Sequence, residues 1–300
     1  MTHNFNQSNQ STSSLLSKIT QYLLSQSTRN TVFTWSVFGL TAILLAIMAW
    51  IFGQILFHGL SEISWSFLTT NPVNSGREGG IASILLTTGW VLVIAMSITL
   101  PLGLATSLWL SEFKSKQYSP WVSKIIYILA GVPSIVYGLF GNAFFCVYLD
   151  LGYSILSGGL TLATMILPYF IQTCVLGFEL VDNRWRLGAQ ALGLSKATFI
   201  VHILLPQAAP AIAAGLILSI GRATAETAAL LFTSGFVDRT PESWLDSGRT
   251  LSVHIYDLAM NITGGESAAY GTALVLIIVL LGINTLAHRL LRSIPANGVN

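Results

Sequence analysis

Charge is scarce in this sequence. Only 9% of its 300 residues are Asp, Glu, Lys or Arg, whereas an ordinary soluble domain carries about 25%. A water-facing surface cannot be built from so few charges, which argues against a soluble globular protein. The net charge of +2 and the lack of a basic, aromatic-containing module argue against nucleic acid as a partner.

Cysteines and catalytic motifs are also nearly absent. The two cysteines, Cys146 and Cys174, lie in apolar runs, where they act as small hydrophobic residues rather than as a disulfide or a metal site. The histidines lack metal-ligand spacing, and no nucleophile elbow, Ser/His/Asp set or Walker sequence occurs. We therefore expect no catalytic residue, no metal and no bound cofactor, and an intramembrane enzyme is disfavoured.

Long hydrophobic runs take the place of charge. Hydrophobic residues make up 53% of the chain and the mean hydropathy is +0.68. Six runs hold about 20 or more mostly apolar residues, enough to cross about 30 Å of hydrocarbon: 32–57, 81–110, 125–149, 155–178, 206–236 and 268–291. The sequence thus predicts an all-α, polytopic membrane protein with six transmembrane helices over residues 32–291.

The distribution of Lys and Arg predicts the orientation. With the N-terminus in the cytoplasm, ten of these residues fall inside and three outside, as the positive-inside rule requires. Both termini are then cytoplasmic. Residues 1–28 are polar and predict a disordered cytoplasmic tail. Residues 292–300 are expected to form a cytoplasmic tail as well. The connection 179–205 is then cytoplasmic, and the connection 237–267 is external, with a short helix on the membrane surface.

The 179–205 connection predicts two short helices. Gly193 is a natural stop, Ser195 a start cap, and Pro206 suits the first turn of the next helix. A generic amphipathic loop is the alternative interpretation.

The same connection resembles the EAA loop of ABC-importer permeases. Residues at the matching spacings are Ala189, Gly193, Ile203, Leu205 and Pro206. Two positions depart from that pattern, since Leu187 replaces its glutamate and Gly188 an alanine. In that family the loop docks into a groove on the ATPase subunit. The resemblance therefore implies a set of ATPase-coupling residues: Ala189, Gly193, Leu194, Ser195 and Pro206.

Two charges lie inside the fifth run. At i and i+4 on a helix, Arg222 and Glu226 share one face and can pair. Arg222 lies about 24 Å along the helix from Pro206, where a lipid-exposed charge costs about 3 kcal/mol, so the pair must face the bundle interior or a wet cavity. The pair either locks helices together or lies on an anion path, with Arg222 as a forked donor.

Small residues at four-residue spacing in the same run predict a stripe that packs against another helix: Ala211, Gly215, Ser219, Ala223 and Thr227.

A weak point is predicted in the third run. Pro133 removes a backbone hydrogen bond, and Gly131 allows close approach of a neighbouring backbone. Such a site is either a hinge or a mere kink.

Three segments resemble a known transporter family. They read Arg-Ala-Thr-Ala-Glu-Thr-Ala-Ala-Leu-Leu-Phe-Thr at 222–233, Gly-Val-Pro-Ser-Ile-Val-Tyr-Gly at 131–138 and Thr-Leu-Ser-Val-His-Ile-Tyr at 250–256. They are similar to the PstA subunit of phosphate-specific ABC permeases, over roughly residues 79–291; Ala225 departs from the glycine usual there. The resemblance implies the type I importer-permease fold and inward movement of phosphate across a bacterial inner (plasma) membrane, with Arg222, Glu226 and Thr227 on the substrate path.

Partners also follow from this resemblance. It implies a sister permease that completes a heterodimer, two cytoplasmic ATPase subunits that use ATP, and an external phosphate-binding protein, all within or against membrane lipid. Two alternatives remain. One is an importer of a related oxyanion such as phosphonate or sulfate, and the other is a self-sufficient channel or secondary transporter, which would often show internal repeats.

Overall fold

The chain is mostly helical in its structure, a computed structural model that describes residues 3–113 and 119–293. It divides into two units, Met1–Gln54 and Ile55–Asn300. Its described α-helices are α1 (His3–Glu62), α2 (Trp65–Thr69), α3 (Ala82–Glu112), α4 (Ser119–Ala130), α5 (Ser134–Gly141), α6 (Ile155–Glu179), α7 (Asn183–Ala191), α8 (Lys196–Phe199), α9 (Leu205–Thr224), α10 (Ala228–Leu231), α11 (Leu251–Met260) and α12 (Glu266–Ser293). Strands β1 (Pro72–Val73) and β2 (Glu78–Gly79) form one antiparallel hairpin.

The N-terminal segment differs from its prediction. Residues 3–28 belong to α1 instead of forming a disordered tail, while residues 1–2 lie outside the described chain. Residues 3–38 contain neither glycine nor proline, the residues that most often stop a helix. The polar sequence therefore continues the helix of the first span. Of the predicted tail 292–300, residues 294–300 lie outside the described chain.

All six predicted hydrophobic runs are found as membrane-length helices when one bent pair counts as a single span. Five straight candidates are Phe33–Glu62, Ala82–Glu112, Ile155–Glu179, Lys196–Thr224 and Glu266–Leu286. The sixth consists of Pro120–Ala130 and Ser134–Tyr148, which are bent by 98° relative to each other. The second helix of this pair ends in a π-helical turn, Asn142–Tyr148.

The fifth span is displaced from its predicted bounds. It begins at Lys196 rather than at Pro206, because a π-helical turn at Ile200–Leu204 joins α8 to α9 without a break. A wide turn just before a proline accommodates its ring and its missing N–H. The helix then ends at Thr224, so residues 225–236 lie outside it.

Helix α6 is the most buried span, and it packs closely on α3. A Cβ atom at Gly103 of α3 would lie 2.4 Å from Phe170, and one at Gly159 of α6 would lie 2.5 Å from Ile94. Both distances are too short for any side chain. At two levels, therefore, a side chain of one helix lies directly against the backbone of the other, as small residues allow in membrane proteins.

The small-residue stripe of α9 packs on α6. A Cβ atom at Gly177 would lie 2.4 Å from the Cβ of Ala211, and one at Gly215 would lie 3.1 Å from Thr173. Ser219 and Ala223 are buried, whereas Thr227 lies beyond the end of the helix. The predicted packing role of the stripe is thus confirmed for its four helical members.

Candidate functional site

The third span is broken where the sequence predicts a weak point. Gly131, Val132 and Pro133 lie between α4 and α5, and Val136 N–H donates to the carbonyl of Pro133 in the first turn of α5. Proline cannot continue the hydrogen-bond ladder of α4, so the chain turns here by 98°. Whether Gly131 and Pro133 act as a hinge stays a prediction.

Two tyrosines donate hydrogen bonds to carbonyl groups at this break, one of which, that of Leu129, also accepts from Val132 N–H at 3.1 Å. The hydroxyl of Tyr137 donates to the carbonyl of Leu129 at 2.8 Å, and the hydroxyl of Tyr169 donates to the carbonyl of Ala130. A helix leaves its last carbonyls without partners from its own backbone. The broken end of α4 is thus held by side chains of α5 and α6.

Arg222 lies next to one of these tyrosines. It occupies the last turn of α9, and its guanidinium carbon is 4.0 Å from the centre of the Tyr169 ring, a cation–π contact. The predicted ion pair with Glu226 is wrong: none joins these two described residues. Because α9 ends at Thr224, the i, i+4 geometry that the pair requires does not exist.

Glu226 instead organises the loop that follows α9. Its Oε1 accepts a hydrogen bond from Ala229 N–H at 3.1 Å and so starts α10. Its backbone carbonyl accepts one from the hydroxyl of Ser252 on α11 at 2.5 Å. Thr227 is half-buried beside it. Ala225 has φ −84° and ψ −5°, a right-handed conformation that its methyl group tolerates.

The site therefore brings part of the predicted substrate path together. Helix α10 packs on α5, where a Cβ atom at Gly138 would lie 2.9 Å from the Cα of Ala229. Arg222 faces the broken third span through Tyr169, and Glu226 and Thr227 lie in the adjoining loop. Sequence reasoning missed Tyr169, because nothing in the spacing of residues 169 and 222 signals a contact.

A buried charged cluster lies in the 237–267 connection. Arg249, only 6% exposed, pairs with Asp257 at 3.1 Å and donates from Nη1 to Nδ1 of His254 at 3.2 Å. The helix predicted here is α11, but Leu251 and Leu258 are fully buried. The helix thus lies in the protein core rather than on a membrane surface, and Leu251 N–H donates to the hydroxyl of Thr88 on α3 at 2.9 Å.

Acidification is expected to destabilise the chain through His254. Burial first, and then the Arg249 guanidinium, lower the pKa of His254 from 6.5 to about 4. At a pH between these two pKa values, His254 is protonated in the unfolded chain but neutral in the folded one. The free energy of unfolding should therefore fall as pH falls through this window, by up to about 3 kcal/mol.

Thermal unfolding of the purified protein at about pH 7.5 and about pH 5 tests this expectation. The His254→Asn variant keeps an acceptor for Arg249 but cannot titrate, so its melting temperature should fall less on acidification. An equal fall in both proteins would contradict a role for His254.

The 179–205 connection has the predicted local structure. Helix α7 ends at Ala191, and Gly193 follows with φ +66°, a conformation that favours glycine. The hydroxyl of Ser195 accepts from Thr198 N–H at 3.1 Å and begins α8. Ala189 is buried, while Leu194 is 39% exposed. Pro206 lies within a continuous helix rather than at its start, because the π-helical turn before it carries the helix on from α8.

An ion pair that the sequence did not reveal fixes this connection to α3. Oε1 of Glu112 accepts from Nε of Arg186 at 3.0 Å and from Nη2 at 2.7 Å. Arg186 also donates to the carbonyls of Phe178 and Val181, both at 2.9 Å. The Glu112 side chain is 7% exposed and that of Arg186 22%. One guanidinium thus joins α7 to the ends of α3 and α6.

Metal binding finds no support in the part of the chain that the structure describes. Within residues 3–113 and 119–293, no three His, Cys, Asp or Glu side chains are grouped so that they could hold an ion.

Comparison with known proteins relates this arrangement to transport. The family described as "binding-protein-dependent transport system inner membrane component" matches residues 99–295. The probable ABC transporter permease protein YqgI of Bacillus subtilis is 32% identical over 269 residues, which are 84% of this chain and 92% of that protein. A phosphate transport system permease protein PstA homolog of Mycoplasma pneumoniae is 36% identical over 66% of this chain. The chain spans about a third of that relative, 32% of its length.

A solved structure shares the fold. The bacterial alginate ABC transporter, crystallised in complex with alginate pentasaccharide-bound periplasmic protein, has a chain that matches with a TM-score of 0.63. The match covers 87% of this chain and 96% of that one at 16% identity. Likeness at this identity concerns the fold alone, which is the type I fold of ABC-importer permeases, as the sequence predicts.

Proposed function

Because the chain belongs to the family of binding-protein-dependent transport system inner membrane components and is the permease subunit of an ABC importer, we propose that it carries inorganic phosphate inward across the membrane. This membership decides against a self-sufficient channel or secondary transporter. The chemical energy is then supplied by ATP on a separate ATPase, which this chain binds but does not contain.

The observation that carries the phosphate assignment is the environment of Arg222. Its guanidinium stacks on Tyr169 and forms no ion pair with any acidic side chain in the described ranges. Five N–H donors in a fixed fork match the oxygens of a phosphate, and charge-assisted hydrogen bonds of this kind are about twice as strong as neutral ones. The PstA name of the Mycoplasma pneumoniae relative supports the same substrate.

Glu226 and Thr227 belong to the same proposed path. Glu226 fixes the loop after Arg222 through Ala229 and Ser252, so it sets where the helix carrying Arg222 ends. Its carboxylate is half-buried and repels an anion, which favours release over permanent binding.

We also propose that the corner between α7 and α8 docks the ATPase. Ala189, Gly193, Leu194, Ser195 and Pro206 would shape this corner. Exposed apolar side chains surround it, with Leu187 at 58% and Leu192 at 78% exposure. An exposed apolar patch on a helical corner fits an apolar groove on a partner.

The full transporter would then contain a sister permease, two ATPase subunits on the cytoplasmic side and an external binding protein. Both termini of this chain would lie in the cytoplasm.

Uptake of labelled phosphate tests the assignment. Cells that lack their own phosphate importer would receive this chain with its partner subunits. We expect ATP-dependent uptake that an excess of unlabelled phosphate suppresses and that sulfate and phosphonates leave unchanged. If sulfate or a phosphonate suppresses uptake as strongly as phosphate does, the substrate is a different oxyanion.

A further inference from the structure

We propose that Tyr169 is the positioning residue of the anion site, because its ring sets the direction in which the Arg222 guanidinium points. This inference rests on the proposed function, since it concerns how the anion is bound. Tyr169 belongs to none of the sequence motifs that resemble the permease family, and it contacts Arg222 from a different helix.

The ring is held by a rigid support. Tyr169 lies on α6, between the buried Pro168 and the fully buried Phe170. Phe170 fills the space above Gly103 of α3, where no side chain would fit. Close packing of this kind leaves little freedom for the backbone at residue 169. The Tyr169 ring under Arg222 is therefore carried by a helix that packs closely on α3.

The hydroxyl group fixes the plane of the ring. It donates to the carbonyl of Ala130, the last residue of α4. Gln172, one turn further along α6, donates to the carbonyl of Ile126 at 3.3 Å. Two residues of α6 at i and i+3 share one face and thus bind the same end of α4. The ring is attached at both of its ends, through Cβ to α6 and through its oxygen to α4.

A guanidinium above such a ring is oriented as well as attracted. Arginine stacks on aromatic faces with its planar fork parallel or inclined to the ring, and its N–H groups then point outward along their own plane. A free arginine side chain has about 2 kcal/mol of rotamer entropy to lose on binding an anion. Because stacking at 4.0 Å already restricts the rotamers of Arg222 in the free protein, less entropy is lost when an anion binds. The anion therefore binds more tightly than it would to an arginine without this contact.

Tyr137 provides a matched control. It also donates its hydroxyl to the broken end of α4, at the carbonyl of Leu129, and it is buried. Its ring is not the one on which Arg222 stacks. Loss of the Tyr137 hydroxyl should leave the direction of Arg222 unchanged, because the Leu129 carbonyl still accepts from Val132 N–H at 3.1 Å and Tyr169 keeps its own hydrogen bond to Ala130.

The test is a comparison of phosphate KM and kcat in the assembled, reconstituted transporter. We expect Tyr169→Met, which fills similar space without a ring, to raise KM about tenfold. Tyr169→Phe keeps the ring but loses the hydrogen bond to the Ala130 carbonyl, so KM should rise about threefold. Tyr169→Trp likewise keeps a cation-binding face without the hydroxyl, so its KM should also rise about threefold. Tyr137→Phe leaves Tyr169 intact and should keep KM within about twofold. All four variants should keep kcat within about threefold.

Other outcomes overturn the proposal. Equal KM values for Tyr169→Met and Tyr137→Phe would show that the ring does not position Arg222, and so would a fall in kcat alone. If Tyr169→Met does not assemble, the Phe and Trp variants decide, because a tenfold rise in KM with Trp contradicts the ring's role. If the unmodified transporter carries another oxyanion, the same comparison is made with that anion. Failure of the phosphate assignment and failure of the Tyr169 role are therefore separate results.

Discussion

Replacing Arg222 with glutamine is expected to reduce phosphate uptake by at least about 100-fold while the chain still inserts and assembles. Each hydrogen bond to a charged group contributes about 1.5–3 kcal/mol, and a phosphate engages two donors of the fork. Loss of both therefore removes about 3 kcal/mol or more, which corresponds to about two orders of magnitude. Glutamine keeps a polar side chain of similar reach but neither the charge nor the fork.

Assembly should persist because Arg222 is exposed within this chain and has no carboxylate partner among the described residues. Its loss leaves no buried charge behind. Arg222→Lys retains the charge without the fork and should lose about tenfold. The control is Arg239→Gln, an exposed arginine of the 237–267 connection, which should transport normally. Loss of the assembled complex in Arg222→Gln would favour a helix-locking role, and uptake within about threefold of normal would remove Arg222 from the path.

Replacing Arg186 with glutamine is expected to destabilise the permease by about 3–5 kcal/mol. The substitution leaves the carboxylate of Glu112, 7% exposed, without its guanidinium. Removal of one partner of a buried ion pair costs more than removal of both, because the remaining charge stays desolvated. The carbonyls of Phe178 and Val181 also lose a donor. Thermal unfolding in detergent and the yield of assembled transporter measure the effect.

A double variant separates the ion pair from other effects. Glu112→Gln combined with Arg186→Gln removes both charges, and it should recover most of the stability that Arg186→Gln loses. Arg184→Gln lies on the same helix, but its side chain is 90% exposed, so it should leave the melting temperature unchanged. Equal destabilisation by the single and double substitutions would show that the unpaired carboxylate of Glu112 is not the cause of the loss.

Local features of this fold could be predicted from the sequence. The six hydrophobic runs, the stop at Gly193 and the cap at Ser195 depend on residues close to each other in the chain. The break at Gly131 and Pro133 could also be located, although its 98° bend could not. That angle depends on hydroxyl groups supplied by other helices, Tyr169 of α6 among them.

Long-range features could not be predicted in the same way. The Arg186–Glu112 pair joins residues 74 positions apart, and Tyr169 meets Arg222 across two different helices. The pairing of Arg222 with Glu226 was wrong for a related reason. The predicted pair required a helix that continues through residue 236. Hydrogen bonds from Ala229 and Ser252 instead hold Glu226 in a separate loop. Tertiary contacts overrode a helical pattern that the local sequence supports.

The continuous helix Lys196–Thr224 makes a mechanical lever of 29 residues. Its two ends carry the proposed docking corner and Arg222. At 1.5 Å per residue the arm from Lys196 to Arg222 is about 39 Å long, so a tilt of about 5° at one end displaces the other by about 3 Å. That displacement equals the length of a hydrogen bond. A small rotation imposed at the proposed docking corner would therefore be sufficient to make or break the proposed contacts between the guanidinium and an anion.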